Sequence, residues 1–203
     1  GSAASAMDAR DVDLDWLRSA RHLHATGVFA AISPSTLQAA RSSIEQMRAA
    51  RRTVSFDPNL RPSLWSSIDH MRHEINALAA LADWVMPGLD EGRLLTGQQT
   101  PQGIARFYRD AGAELVVVKL GPQGAYFEGP EASGHVAGVP VDKVVDTVGA
   151  GDGFAVGLIS GLLEGLDLGT ATERGAWIGA RAVRVAGDTE GLPTRAQLQE
   201  GLV

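Results

Sequence analysis

The chain alternates short apolar runs with stretches whose apolar residues recur every three to four positions, a pattern that predicts an α/β fold with a mostly parallel sheet and helices on both faces. Leu23 to Phe29 reads as a strand containing Gly27. Ser33-Pro34 then offers an N-cap and a first-turn proline, and Leu37, Ala40, Ile44 and Met47 predict an amphipathic helix over 35–50. Val54-Ser55-Phe56 is a short buried strand that stops at Asp57-Pro58-Asn59. Ile68, Met71, Ile75 and Leu78 mark the next helix, and Trp84-Val85-Met86 a strand closed by Pro87-Gly88. Ile104, Phe107, Tyr108 and Ala111 define a helix that Gly112 ends. Leu115 to Val118 is the clearest buried strand, and 125–127 and 135–139 read as two more, separated by a Gly/Pro/Ser turn. A glycine-rich apolar helix starts at Gly149 and runs to about Leu163; a final one covers about 170–185. With no repeat, low-complexity segment or internal linker, the 203 residues read as one compact α/β domain.

Ligands of open α/β sheets sit beyond the carboxyl ends of the strands. That rule selects the loops 57–61, 87–91, 119–124 and 146–152, and each of them is polar or glycine-rich.

Composition narrows the chemistry. A net charge of −6 argues against nucleic acid or an anionic membrane as partner. With no cysteine, disulfides, thiolate zinc sites and cysteine nucleophiles are excluded. The longest apolar stretch, Phe154 to Leu163, is far short of the ~20 residues a membrane span needs. No basic segment followed by an apolar run opens the chain, so a soluble cytoplasmic protein is the expectation.

The segment Asp146-Thr147-Val148-Gly149-Ala150-Gly151-Asp152 carries the strongest signal. Small residues at 149–151 let successive N–H groups point into one concavity, and the helix that follows adds its own unpaired N–H groups and the positive end of its dipole. This makes an anion site suited to phosphate or to charge developing in phosphoryl transfer. Asp152 beside it would repel a simple phosphate, but fits a group that accepts the proton of an attacking hydroxyl. The competing reading is a glycine-rich loop whose Asp caps the helix. Two other nucleotide signatures fail: G-x-G-x-x-G would need glycine where Phe154 stands, and neither lysine, Lys119 or Lys143, follows a glycine as a P-loop requires.

The run from Asp146 through Ile159 resembles the C-terminal signature of the ribokinase-like (PfkB) sugar kinases. The resemblance implies that Asp152 is the catalytic base, also touching the substrate, and that the Gly149, Ala150 and Gly151 amides form the anion hole. Phe56-Asp57-Pro58-Asn59-Leu60-Arg61 is similar to a segment of the 2-keto-3-deoxygluconate kinases, making Asn59 and Arg61 nucleotide-side candidates and Arg61 a partner for phosphate or a substrate carboxylate as well. Read alone, the segment is equally a surface turn with a capping Asn. Pro87-Gly88-Leu89-Asp90-Glu91 resembles the N-x-x-E motif, with Gly88 at the Asn position; Glu91 is then the carboxylate that acts on Mg²⁺ through water, while two acids opening a helix are otherwise ordinary dipole partners. Lys119, Gly121 and Gly124 match a nucleotide-side loop that could also be a hairpin turn, and Ala176 and Gly179 fall in a stretch that lines the adenine pocket, with Ala176 in place of the family's Asn.

The implied cofactors are ATP and Mg²⁺, with a monovalent cation as a further candidate. The implied partner is a small sugar or sugar acid, and the complete protein is a candidate homodimer. The resemblance covers essentially the whole chain but only the C-terminal two-thirds of family members of roughly 300 residues, so the expectation is a fragment, inactive alone, lacking the N-terminal sugar-site glycines, several strands and the lid. Two functions stay open: an ATP-dependent kinase for 2-keto-3-deoxygluconate, fructose, ribose or another sugar, and a nucleotide-binding module without turnover. His70 and His73, beside Glu74, read as an exposed helix face rather than a metal site, and His22 and His24 as structural residues on one face of a strand.

Overall fold

The computed structural model describes residues 3–187 and 189–201, in two compact units, Gly1–Val118 and Lys119–Val203. In the first unit the chain runs through α1 (Leu14–Ser19), β1 (His22–Thr26), α2 (Gly27–Ala31), α3 (Pro34–Ala49), β2 (Thr53–Asp57), α4 (Ile68–Ala79), β3 (Trp84–Val85), α5 (Leu89–Thr96), α6 (Pro101–Asp110) and β4 (Leu115–Lys119). The strands pair in parallel and in sequence order: Thr26 opposite Asp57, Phe56 opposite Val85, Val85 opposite Val116. Among the side chains of these strands and helices, Ile44, Met47, Phe56, Met71, Ile75 and Ile104 are fully buried.

The helices start where their caps dictate. The Ser33 hydroxyl accepts the Thr36 N–H while Thr36 Oγ1 accepts the Ser33 N–H, and Pro34 follows at the first helical position, so α3 matches the periodicity. The predicted strand over Leu23 to Phe29 is corrected: it ends at Thr26, and Val28 and Phe29 belong to α2. The reason is tertiary. A Cβ on Gly27 would lie 2.1 Å from the Pro58 carbonyl oxygen, so Gly27 lets the chain pass against the loop after β2 as it turns into the helix. His22 and His24 do lie on one face of β1: the His22 ring nitrogens bond Thr53 Oγ1 and Ser55 Oγ, both at 2.8 Å, His24 Nδ1 meets Ser55 Oγ at 2.8 Å, and the His22 ring stacks on Trp84. Glu74 Oε1 lies 3.9 Å from His70 Nε2 and 4.0 Å from His73 Nε2, and Arg41 bonds the same carboxylate at 2.9 Å; no group of three side chains that could hold a metal ion occurs among the described residues.

The second unit holds the antiparallel hairpin β5 (Ala125–Glu128) and β6 (Ser133–Val136), then α7 (Ala150–Leu163), α8 (Leu168–Ala182) and α9 (Arg195–Gly201). The strand expected over 135–139 is shifted: β6 starts earlier and ends at Val136, because Gly138 crosses the 121–124 turn so closely that a Cβ there would sit 1.9 Å from Pro122 O. The helix expected over 170–185 begins at Leu168, where Asp167 accepts the Thr170 N–H, and ends at Ala182; it is not the last, since α9 follows. Helices α7 and α8 form a close pair. Gly157 meets the backbone of Arg174 and Gly175, Gly161 meets Ala171, and Gly175 meets the Phe154 carbonyl, so glycine and alanine on both helices let the two backbones approach. Among the described residues no helix is long and apolar enough to cross a membrane.

Candidate active site

In the second unit, α7 opens on Gly149, whose backbone is left-handed at φ 78°, a conformation that favours glycine. The first turn of any α-helix leaves its leading N–H groups without intrahelical acceptors. Here the Gly153 N–H returns to Gly149 O at 2.8 Å, while those of Gly151 and Asp152 precede the intrahelical ladder. The loop before it is held by the Val148 N–H donating to Asp146 Oδ1 at 3.0 Å, and by the N–H groups of Val145 and Asp146 donating to Val183 O. The start of α7 is thereby tied to the end of α8. The Asp152 carboxylate is exposed and makes no ion pair among the described residues. Its free oxygens sit at the positive end of a 14-residue helix dipole.

A cavity of about 560 Å³ lies within this unit. Lys119, Gly121, Gly124, Ala150, Gly151, Ala176 and Gly179, seven of the residues singled out in the sequence, line it together. A Cβ built on Gly151 would lie 3.8 Å from Lys119 Nζ, so an ammonium stands beside the N–H-bearing turn. Gly124 (φ 96°) can hold no Cβ, which would fall 1.9 Å from Val136 O. The rest of the wall is mostly apolar, with Val139, Val141, Val144, Phe154, Ala180 and Val183, and Thr147 adds a hydroxyl. A phosphate end next to Lys119 and the helix start, and an apolar slot for a flat base, is what such a lining can offer. The wall formed by 138–144 has no counterpart among the residues singled out by motif. Its signal was the pair of glycines, Gly124 and Gly138, on crossing segments.

The other predicted residues belong to the first unit. Asn59 is left-handed at φ 37°, with its N–H on Asp57 Oδ1 at 3.2 Å. Arg61, exposed, donates from Nη1 to Asn59 Oδ1 at 2.6 Å and to Leu60 O at 2.9 Å; none of its bonds goes to a carboxylate. Glu91, in the first turn of α5, accepts the N–H of Leu60 at 2.7 Å and that of Gly88 at 2.8 Å. Asn59 and Arg61, on the loop after β2, and Glu91, in the first turn of α5, are thus brought together.

Parallel β-α succession followed by a hairpin and a helix that opens on a left-handed glycine is the order of a ribokinase-like α/β fold. The chain belongs to the pfkB family of carbohydrate kinases, whose pattern it matches over residues 1–195. It is 51% identical over 197 residues to the 2-dehydro-3-deoxygluconokinase of Bacillus subtilis, covering 97% of this chain and 61% of that protein. A crystal structure of a PfkB protein from Polaromonas sp. JS666 is 63% identical, with a TM-score of 0.89 over 98% of this chain and 63% of the other. A putative ribokinase II from E. coli, solved in complex with ATP and Mg²⁺, is 30% identical with a TM-score of 0.88, covering 96% of this chain and 62% of that one. The chain spans about three-fifths of the length of these relatives.

Proposed function

We propose that this chain supplies the nucleotide-binding and proton-accepting part of an ATP-dependent kinase acting on a hydroxyl of a sugar acid, with 2-keto-3-deoxygluconate as the first candidate. The observation that carries the reading is the cavity in which Lys119, Ala150 and Gly151 stand at the start of α7, one residue before an exposed carboxylate, Asp152. Similarity to a 2-dehydro-3-deoxygluconokinase supports the sugar acid, and similarity to a protein solved with ATP and Mg²⁺ supports the phosphoryl donor.

In this mechanism Asp152 takes the proton as the acceptor oxygen bonds to the γ-phosphorus and the bond to the β–γ bridging oxygen breaks, releasing ADP. Negative charge on the transferring group is to be met by the amides at 149–151, of which the Ala150 N–H also donates to Thr147 O at 3.4 Å, and by the Lys119 ammonium. Mg²⁺ enters as part of the MgATP substrate. The described residues form no cage for a bare ion, which suits an ion that keeps several waters and is held by phosphates. Glu91, whose oxygens each spend a lone pair on a backbone N–H, acts on those waters rather than on the ion itself. Arg61 is the candidate grip on a carboxylate or phosphate, for which a planar fork is suited. The reading carries with it a cytoplasmic setting, since ATP is its co-substrate.

The test pairs calorimetric titration with MgATP and a coupled assay against sugar acids and sugars, on the complete protein and its Asp152→Asn variant. The amide keeps the shape and removes the proton acceptor, so nucleotide binding persists while kcat falls ~10²–10⁴-fold. A variant with near wild-type turnover would remove Asp152 from the mechanism. Tight MgATP binding without turnover on any acceptor would instead favour the nucleotide-binding module.

A further inference from the structure

A glutamate at the third position of a helix commonly folds back to cap the N–H of the residue before the helix, and Glu91 does this for Gly88. That cap needs one oxygen. The other oxygen leaves α5 altogether and accepts the N–H of Leu60, thirty-one residues earlier, at 2.7 Å. Gly88 leaves room for this arrangement, since a Cβ there would lie only 3.1 Å from Glu91 Oε2.

The loop that receives the second bond is fixed at every residue before Arg61. Asp57 is buried and its Oδ1 accepts the Asn59 N–H. The Pro58 carbonyl is pressed against Gly27. Asn59 holds a left-handed backbone, unfavourable for a residue with a side chain, and its Oδ1 is bonded by Arg61. Leu60 is the remaining residue, and its N–H is anchored by a carboxylate on the next loop. Arg61 comes immediately after, exposed, with Nη1 turned back on Asn59 and Leu60.

We propose that Glu91 is a positioning residue that sets the orientation of Arg61 by clamping the Leu60 amide, a role separate from any action on magnesium waters. Its kinetic consequence rests on the kinase reading; the clamp itself does not. A carboxylate is required because both of its atoms accept. In Glu91→Gln one of the two backbone N–H groups faces an NH₂ and loses its partner.

The experiment is amide hydrogen exchange on the complete protein without nucleotide or Mg²⁺, comparing wild type, Glu91→Gln and Glu91→Ala. Exchange is expected to quicken at both Leu60 and Gly88 in Glu91→Ala and at one of the two in Glu91→Gln, on the order of ten-fold, the worth of a hydrogen bond to a charged acceptor. In the same proteins, the kcat/KM losses of Glu91→Gln and Arg61→Ala are expected to be non-additive, and raised Mg²⁺ is expected not to restore the glutamine variant. Unchanged exchange at Leu60 in both variants, losses that multiply, or full rescue by Mg²⁺ would each overturn the proposal. If the wild type phosphorylates no sugar acid, the kinase reading fails, and the exchange measurement still decides the clamp.

Discussion

Adding one methyl group at Gly157 should damage the protein, while the same change four residues earlier should not. On α7 an added Cβ at Gly157 would stand 2.7 Å from both the Arg174 carbonyl oxygen and the Gly175 Cα, and ordinary contact begins near 3.4 Å. Both neighbours are backbone, so no rotamer change relieves the clash and the helices must part by about 0.7 Å. Alanine gains about 1 kcal/mol of helix propensity over glycine, but overpacking of this kind costs about 1–3 kcal/mol, and a gap of that width forfeits a quarter or more of the dispersion energy along the seam. A net loss of about 1–2 kcal/mol is expected for Gly157→Ala. At Gly153 the nearest atoms, two side-chain carbons of Ile178 and Ala182 and the Ile178 carbonyl oxygen, lie at ordinary contact of 3.4, 3.5 and 3.5 Å, so Gly153→Ala keeps the propensity gain and is expected to be neutral or stabilising by up to about 1 kcal/mol. Urea denaturation midpoints measure the difference at constant slope. Ala176 and Gly179 on α8 face the same cavity as Ala150 and Gly151 on α7, so Gly157→Ala should also weaken MgATP binding. A Gly157→Ala protein as stable as Gly153→Ala would refute the close backbone seam.

Arg61→Lys keeps the charge and loses the fork, so kcat/KM is expected to fall on the order of ten-fold or more in steady-state assays of the complete protein; unchanged kinetics would return Arg61 to a plain surface turn. His22 is half-buried, and burial together with the nearby His24 lowers its pKa to about 4, so the folded state holds the neutral ring. The unfolded chain binds that proton near the ordinary value of 6.5, so between about 6.5 and 4 the unfolded state carries more protons and stability falls as pH falls. Denaturation across that window should show the decline, and His22→Gln should flatten it; a slope unchanged in the variant would acquit His22.

The elements legible in the sequence are those whose signal is local. Helix α3 has a proline, a hydroxyl cap and an unbroken apolar stripe, and its observed bounds differ from the expected ones by a residue. Helix α9 buries no residue, so it has no stripe to read, and only Thr194 hints at its start. Val28 and Phe29 have strand propensity and yet are helical, because the constraint at Gly27 comes from Pro58, thirty-one residues away. The site divides in the same way. Gly149 to Asp152 could be read because the amides, the glycine and the carboxylate are contiguous. The 138–144 wall could not, since it is irregular and is held against the 121–124 turn by the close approach of Gly124 and Gly138. That Glu91 reaches Leu60 is likewise invisible to spacing.

The two departures from the family motifs have different physical meanings. Gly88 stands where the motif it resembles has an Asn, and what it provides is space: the Glu91 carboxylate folds over it and caps its N–H. The loss of one polar group is therefore matched by a carboxylate drawn inward, holding two loops with one side chain. Ala176 replaces an Asn too, but nothing polar moves into its place. It sits in a wall with Phe154, Ala180 and Val183, and α8 approaches α7 there closely enough that a Cβ on Gly179 would stand 3.1 Å from Ala150 O. A side-chain amide at 176 would have to find a partner in an apolar wall or bear the cost of its burial. On the proposed reading, a base held at this wall relies on shape and backbone groups. On that reading the charge gathers at the other end, where Lys119, at the end of β4, and Ala150 and Gly151, at the start of α7, line the cavity and Asp152 follows in the chain.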